Sequence, residues 1–307
     1  MILSETYTLS NGVEIPKLGL GTWFIDNKSV GKAICDAVDL GYRHIDTAQA
    51  YRNEQGVGVG IQQCGVNRDE IFVTTKLAAE AKTYKKAAAS IDRSLSRMGL
   101  DYLDMMIIHS PQPWTKFGKA ERFFEGNREA WRALEDAYRA GKLRAIGVSN
   151  FDETDLQNIL NGCSVKPMVN QILAHIGNTP DDLIRYTQAQ GILVEAYSPI
   201  GHGAILENPD IKAVAERYGV SVPQLAIRYD LQLGLLPIPK TANPDHMKSN
   251  AQVDFIISDD DMALLQSVEK ITDYGDANAM PVFGGELNLK TMMGFLLSSL
   301  RRKKSAS

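Results

Sequence analysis

The stretch Gly41-Tyr42-Arg43-His44-Ile45-Asp46-Thr47-Ala48-Gln49-Ala50-Tyr51-Arg52-Asn53-Glu54 sets how the chain is read. Gly41 marks a helix stop, and residues 43–46 follow as a short strand. A loop carrying Tyr51 then leads to a new helix near Asn53. Asp46 closes the strand. A carboxylate there either caps the next helix or serves chemistry at the strand exit, and the stretch alone supports both. What it establishes is a unit: helix stop, strand, loop, helix.

That unit recurs. Strands are expected at 18–21, 43–46, 71–75, 105–108, 145–148, 168–170, 192–196 and 235–238. Between them the apolar spacing predicts helices over 29–40, 53–64, 82–98, 128–140, 152–160, 180–190, 210–218, 222–233 and 244–250. Asp152 suits a helix cap, and Pro180 and Gly191 suit the first turn and the stop of one helix. Alternating β and α segments give a parallel sheet. Eight units in 307 residues fit a closed (β/α)8 TIM-type barrel better than an open doubly wound sheet. Gly19-Leu20-Gly21-Thr22-Trp23-Phe24 lacks the third glycine of a dinucleotide fingerprint, which disfavours a Rossmann site.

Before the first unit, Asn11-Gly12 sits between alternating segments and predicts a β-hairpin within residues 1–17, outside the main sheet. After the last unit, residues 258–270 read as an extra helix with Asp259, Asp260 and Asp261 in its first turn. Residues 273–285 read as an irregular loop able to cover a site. The Met-rich segment 287–300, followed by Arg301-Arg302-Lys303-Lys304, reads as a terminal helix docked on the barrel or a neighbouring subunit, with a membrane-surface tail as the alternative. No Pro-, Gly- or Ser-rich linker divides the chain, so a single domain over 1–307 is expected.

Bulk properties narrow the function. The chain is 44% hydrophobic and 23% charged with a net charge of −4, which is ordinary globular composition without the basic face that nucleic acid requires. No apolar run reaches the ~20 residues of a membrane span, and Met1-Ile2-Leu3-Ser4-Glu5 does not begin a cleaved signal. Cys35, Cys64 and Cys163 are odd in number and far apart, which fits a reducing compartment. A cytoplasmic protein, monomeric or weakly homo-oligomeric, is expected.

In a barrel of this kind chemistry sits at the C-terminal ends of the strands. There the second strand ends in Asp46 with Tyr51 beyond it, the third in Thr75-Lys76, and the fourth in His109-Ser110. Each residue alone has an ordinary structural role, but three adjacent strands place ionisable groups at the same rim. The set is chemically coherent. Carbonyl reduction needs an acid to protonate the nascent alkoxide, and a tyrosine with pKa near ~10 serves better with a cation stabilising its phenolate. Lys76 is the expected cation, held by Asp46, and His109 is expected to orient the carbonyl. A metal-dependent barrel is disfavoured, because Lys76 would repel an ion between Asp46 and His109.

These residues carry a family resemblance. The stretch Gly41 to Glu54, Lys76, His109, Gly147-Val148-Ser149-Asn150-Phe151, Gln171, Ala196-Tyr197-Ser198-Pro199 and Ile238-Pro239-Lys240 together resemble the motifs of the aldo-keto reductases, over about residues 7–250. The resemblance implies NADPH bound across the barrel mouth, a small-molecule carbonyl substrate, and Asp46, Tyr51, Lys76 and His109 as the catalytic set with Tyr51 as general acid. It implies that Ser149, Asn150 and Gln171 bind the carboxamide, that Tyr197 stacks on the nicotinamide, and that Ser198, Pro199, Ile200 and Gly201 surround the pyrophosphate. Lys240, Thr241, His246 and Asn250 would serve the adenosine-phosphate end, with Thr22 also at the cofactor. Trp23, Ser110 and Trp114, with Phe24 and Phe117, are candidate substrate walls.

Two departures from the pattern matter. His246 stands where the family has an arginine, and Ser249 where it has a glutamate. Arginine is always charged and histidine is not, so NADPH is expected with some acceptance of NADH. Ser110 stands where many relatives have tryptophan, which is expected to open space near the nicotinamide. A cofactor-binding regulatory or sensing protein on the same fold is the alternative reading.

Overall fold

The computed structural model describes residues 1–286; the expected terminal helix and basic tail lie outside them. The hairpin strands β1 (Thr6–Thr8) and β2 (Glu14–Pro16) pair antiparallel as a separate sheet. Eight parallel strands follow: β3 (Leu20–Gly21), β4 (His44–Asp46), β5 (Phe72–Leu77), β6 (Leu103–Ile108), β7 (Leu143–Ser149), β8 (Val169–Leu173), β9 (Leu193–Tyr197) and β10 (Leu236–Ile238). Each pairs with its sequence neighbours. The seam between first and last is bridged by Gly19 N–H to Pro237 O at 3.2 Å and Gly21 N–H to Pro239 O at 3.1 Å. Gly21 permits that approach, since a Cβ there would lie 2.9 Å from the Ile238 carbonyl oxygen. The result is a (β/α)8 barrel.

Helices α1 (Val30–Asp39), α2 (Glu54–Gln63), α3 (Tyr84–Met98), α4 (Phe124–Arg139), α5 (Glu153–Leu160), α6 (Asp181–Ala189), α7 (Pro209–Arg217), α8 (Val222–Gln232), α9 (Pro244–Asn250) and α10 (Asp259–Gln266) complete the described architecture. Their starts follow capping chemistry. Asp152 accepts from Asp155 N–H at 2.9 Å, and Ser221 with Gln224 forms a capping box on α8. Pro180 takes the cap position of α6 instead of its first turn. Helix α4 begins four residues before the expected start, with no side-chain cap to announce it, and α10 ends at Gln266, four residues short of Lys270.

Strands β5 and β6 are buried along their whole length, as a sheet covered by helices outside and packed within requires. The hairpin lies against the barrel: Ile15 is fully buried, Tyr7 donates to Leu235 O at 3.1 Å, and Asn11 donates to Arg144 O at 2.9 Å. Residues 273–285 carry two short 3-10 turns, Gly275–Ala279 and Pro281–Phe283. They are tied down by Tyr274, whose hydroxyl meets the buried His175 ring at 3.1 Å and whose ring packs on Phe283. Among the described residues all three cysteines are free, and no helix is long and apolar enough to cross a membrane.

Candidate active site

Alternate residues on a strand share a face. His44 and Asp46 on β4, Thr74 and Lys76 on β5, and Glu195 and Tyr197 on β9 therefore point in common directions. Their mutual contacts put that face inside the barrel. His44 Nε2 lies 3.0 Å from Thr74 Oγ1, and the Lys76 ammonium is bonded to Asp46 Oδ1 and to Thr47 O, the latter at 3.0 Å. Asp46 is buried and so is Lys76. A buried ion pair survives desolvation only when its remaining valences are also satisfied. Here the second Asp46 oxygen accepts from Gln171 Nε2 at 3.0 Å.

Above this pair a cavity of about 530 Å³ opens at the strand exits. Asp46, Tyr51 and His109 line it, with Lys76 directly behind: its Nζ sits 5.1 Å from the centre of the Tyr51 ring. The four groups singled out at strand exits therefore meet at one place. The ring of His109 stands edge-on to Tyr51 at 5.7 Å and to Trp114 at 4.9 Å.

Burial, and secondarily the Asp46 carboxylate, hold the Tyr51 hydroxyl well above the usual tyrosine range. The Lys76 ammonium is engaged by Asp46 and Thr47 O and lies over the ring face. In this geometry Tyr51 is a phenol at neutral pH. His109 is driven well below the ordinary histidine range by burial and then by Lys76, so its imidazole is neutral.

At the back of the cavity, Asn150 donates to His109 O and to Ser149 Oγ, both at 3.0 Å, and accepts from the Tyr197 hydroxyl at 2.7 Å. Its amide is thus spent within the wall. Gln171 gives its amide protons to Asp46 and to Glu195, the latter at 2.8 Å. Two complementary atoms remain: the Ser149 hydroxyl proton, a donor, and the Gln171 carbonyl oxygen, an acceptor. That pair matches a primary carboxamide, with C=O toward Ser149 and N–H toward Gln171.

Tyr197, Ser198, Pro199 and Ile200 also line the cavity, as does Lys240. Gly201 adjoins them, and the backbone there is left-handed at Ser198, Gly201, His202 and Gly203, which folds the segment tightly over the mouth. Trp23 and Phe24, stacked at 4.5 Å, form the opposite wall with Trp114. Other residues named from sequence lie elsewhere. Thr22 is buried, with its hydroxyl donating to Asp46 O at 2.9 Å. Thr241 accepts from Asn243 N–H, Asn250 is buried and His246 is exposed on α9. Ser110 is not on the cavity wall: its Oγ accepts from Gln112 N–H at 3.2 Å and its carbonyl accepts from Lys82 at 2.7 Å. Phe117 packs against Trp114 from outside the lining.

The structure also adds residues that the strand-exit argument did not reach. Glu195 is fully buried beside Gln171. His202 stands edge-on to Trp23 at 5.3 Å and to Phe283 at 4.8 Å. Leu206, Met280, Pro281 and Val282 complete an apolar rim.

The family model described as the aldo/keto reductase family matches residues 17–270. The chain belongs to that family. Glyoxal reductase of Bacillus subtilis is 41% identical over 270 residues, covering 87% of this chain and 94% of the relative. An aldo/keto reductase structure from Brucella melitensis superposes with a TM-score of 0.81 at 36% identity, covering 88% of this chain and 99% of the other. A Bombyx mori aldo-keto reductase in complex with NADP matches with a TM-score of 0.79 at 32% identity, covering 91% and 98%. As an aldo-keto reductase the chain is an oxidoreductase that works with a nicotinamide cofactor, which agrees with the carboxamide-shaped pair of Ser149 and Gln171.

Proposed function

We propose that this aldo-keto reductase reduces aldehyde or ketone carbonyls to alcohols with NADPH, with Tyr51 as general acid. The observation that carries the reading is the meeting of Asp46, Tyr51, Lys76 and His109 at one end of a mostly apolar cavity. Bound NADPH supplies the hydride. The chain's own residues do the rest. Ser149 and Gln171 hold the carboxamide, Tyr197 packs against the ring, and the segment 198–201 with Lys240 takes the phosphates. Neutral His109 offers one N–H to the carbonyl oxygen without competing for its proton. Tyr51, kept protonated by burial, delivers its proton as charge develops on that oxygen. The phenolate then left behind faces Lys76, so the ammonium acts after proton transfer, when a negative charge is present for it to stabilise.

The wall made by Trp23, Phe24, Trp114, Leu206 and Val282 favours uncharged, aromatic or aliphatic carbonyl compounds. A panel of such compounds assayed by NADPH consumption tests the reading, with Tyr51→Phe as the comparison. Loss of the general acid is expected to lower kcat by about 10²–10⁴-fold. A Tyr51→Phe enzyme as active as the parent would remove the assigned role.

A further inference from the structure

Glu195 interrupts the apolar run of β9 and is completely buried. Its Oε2 accepts one amide proton of Gln171 at 2.8 Å, while Asp46 Oδ2 takes the other at 3.0 Å. A primary amide has two N–H donors and no more. With both held by carboxyl groups, the atom that Gln171 turns toward the cavity is its carbonyl oxygen. Without Glu195 one proton is released. The amide can then keep its bond to Asp46 and swing the second N–H into the cavity, which would present a donor where the carboxamide N–H also needs an acceptor. The charged and titratable groups around Glu195 are His44, whose Nε2 is 4.0 Å from Oε1, then Asp46 and Lys76. Burial, with Asp46 pushing the same way, lifts the Glu195 carboxyl to about 8. Protonated on its other oxygen, Glu195 still offers Oε2 as an acceptor at neutral pH.

We propose that Glu195 is a positioning residue that locks Gln171 as a pure hydrogen-bond acceptor for the N–H of the nicotinamide carboxamide. The inference rests on the cofactor reading given above. Its test is binding, measured on the full chain by quenching of tryptophan fluorescence, since Trp23 and Trp114 line the cavity. Two ligands are compared: NADP, and its acetylpyridine analogue, in which a methyl group replaces the amide nitrogen. The wild type is expected to bind NADP about tenfold tighter than the analogue, the scale of one hydrogen bond. Glu195→Gln, which keeps an acceptor oxygen at the same reach, retains that ratio. Glu195→Leu brings it within about twofold of unity while leaving the Kd of the analogue nearly unchanged. An unchanged ratio in a folded Glu195→Leu protein overturns the proposal. So does a wild-type ratio near one, a result that requires no variant to fold. Failure of the wild type to bind either dinucleotide would instead overturn the cofactor reading beneath it.

Discussion

Two buried carboxylate sites lie in the same barrel, and they are built on opposite plans. On β6, Asp104 accepts from Val73 N–H at 2.9 Å and pairs with Arg68 at 2.7 Å and Arg144 at 2.6 Å. One carboxylate there has two guanidinium groups and a backbone donor. At the strand exits, Asp46 and Glu195 stand together, and Lys76 is the cation acting on both. The first arrangement is over-satisfied and belongs to stability. In the second, burial first and then the neighbouring Asp46 carboxylate, with one ammonium to offset them, keep Glu195 protonated and hold Tyr51 as a phenol. The difference is one of stoichiometry of charge, and it separates a structural network from one able to hold and move a proton.

Paired substitutions break this comparison most directly. Lys76→Met is expected to lower kcat/KM by about 10²–10⁴-fold, the range of a lost acid-base partner. Asp104→Asn is expected to leave kcat/KM within about twofold and to cost roughly 2–3 kcal/mol, less than a fully buried pair because both arginines reach solvent. Initial rates and thermal melts on both variants separate the two plans. Loss of turnover in the Asp104 variant would show that the lower network also serves the site.

A third buried carboxyl site extends the series. Asp230 on α8 is fully buried with neither oxygen hydrogen-bonded among the described residues, and burial raises it well above the usual aspartate range. In the unfolded chain it ionises near ~3.9. The folded state therefore binds the extra proton, and stability is lost as pH climbs from that value toward the folded-state value. Asp230→Asn removes this titration. Its Tm is expected to equal the parent's near pH 4 and to exceed it by several degrees, about 2–6 °C, at pH 8. Melts across that range check it, and parallel curves for the two proteins would count against an unpaired carboxyl.

Much of this was legible in the residues themselves. The eight units are visible because short apolar runs alternate with helical spacing and because caps such as Asp152 and Ser221 announce helix starts. Asp46, Lys76 and His109 stand out because polar groups end apolar strands at one rim. Glu195 carried a similar signal, a charge inside β9. Its partners come from β4 and β8, however, and only the closed barrel shows that Gln171 bridges it to Asp46. The position of Lys76 was likewise illegible: its sequence neighbours do not reveal that its ammonium lies over the Tyr51 ring. Ser110 looked like a wall residue by its place after His109, yet Gln112 and Lys82 draw it behind the wall. His202 and the 280–282 segment reach the mouth through left-handed backbone and a Tyr274 anchor, neither of which follows from periodicity.

The smallest expected effect lies farthest from the chemistry. His246 is exposed on α9, where the family pattern has an arginine. A solvent-exposed cation beside a phosphate is worth about 0.2–1 kcal/mol, so its presence or absence changes affinity by only a few-fold. A guanidinium carries its charge at any working pH and grips a phosphate through two parallel N–H groups. His246→Arg is therefore expected to raise the NADPH:NADH ratio of kcat/KM by about twofold to fivefold, read from initial rates with the two cofactors. Lys240, on the cavity rim, keeps a baseline preference for NADPH throughout. A ratio unchanged in His246→Arg would place the discrimination in Lys240 and leave His246 without a part in it.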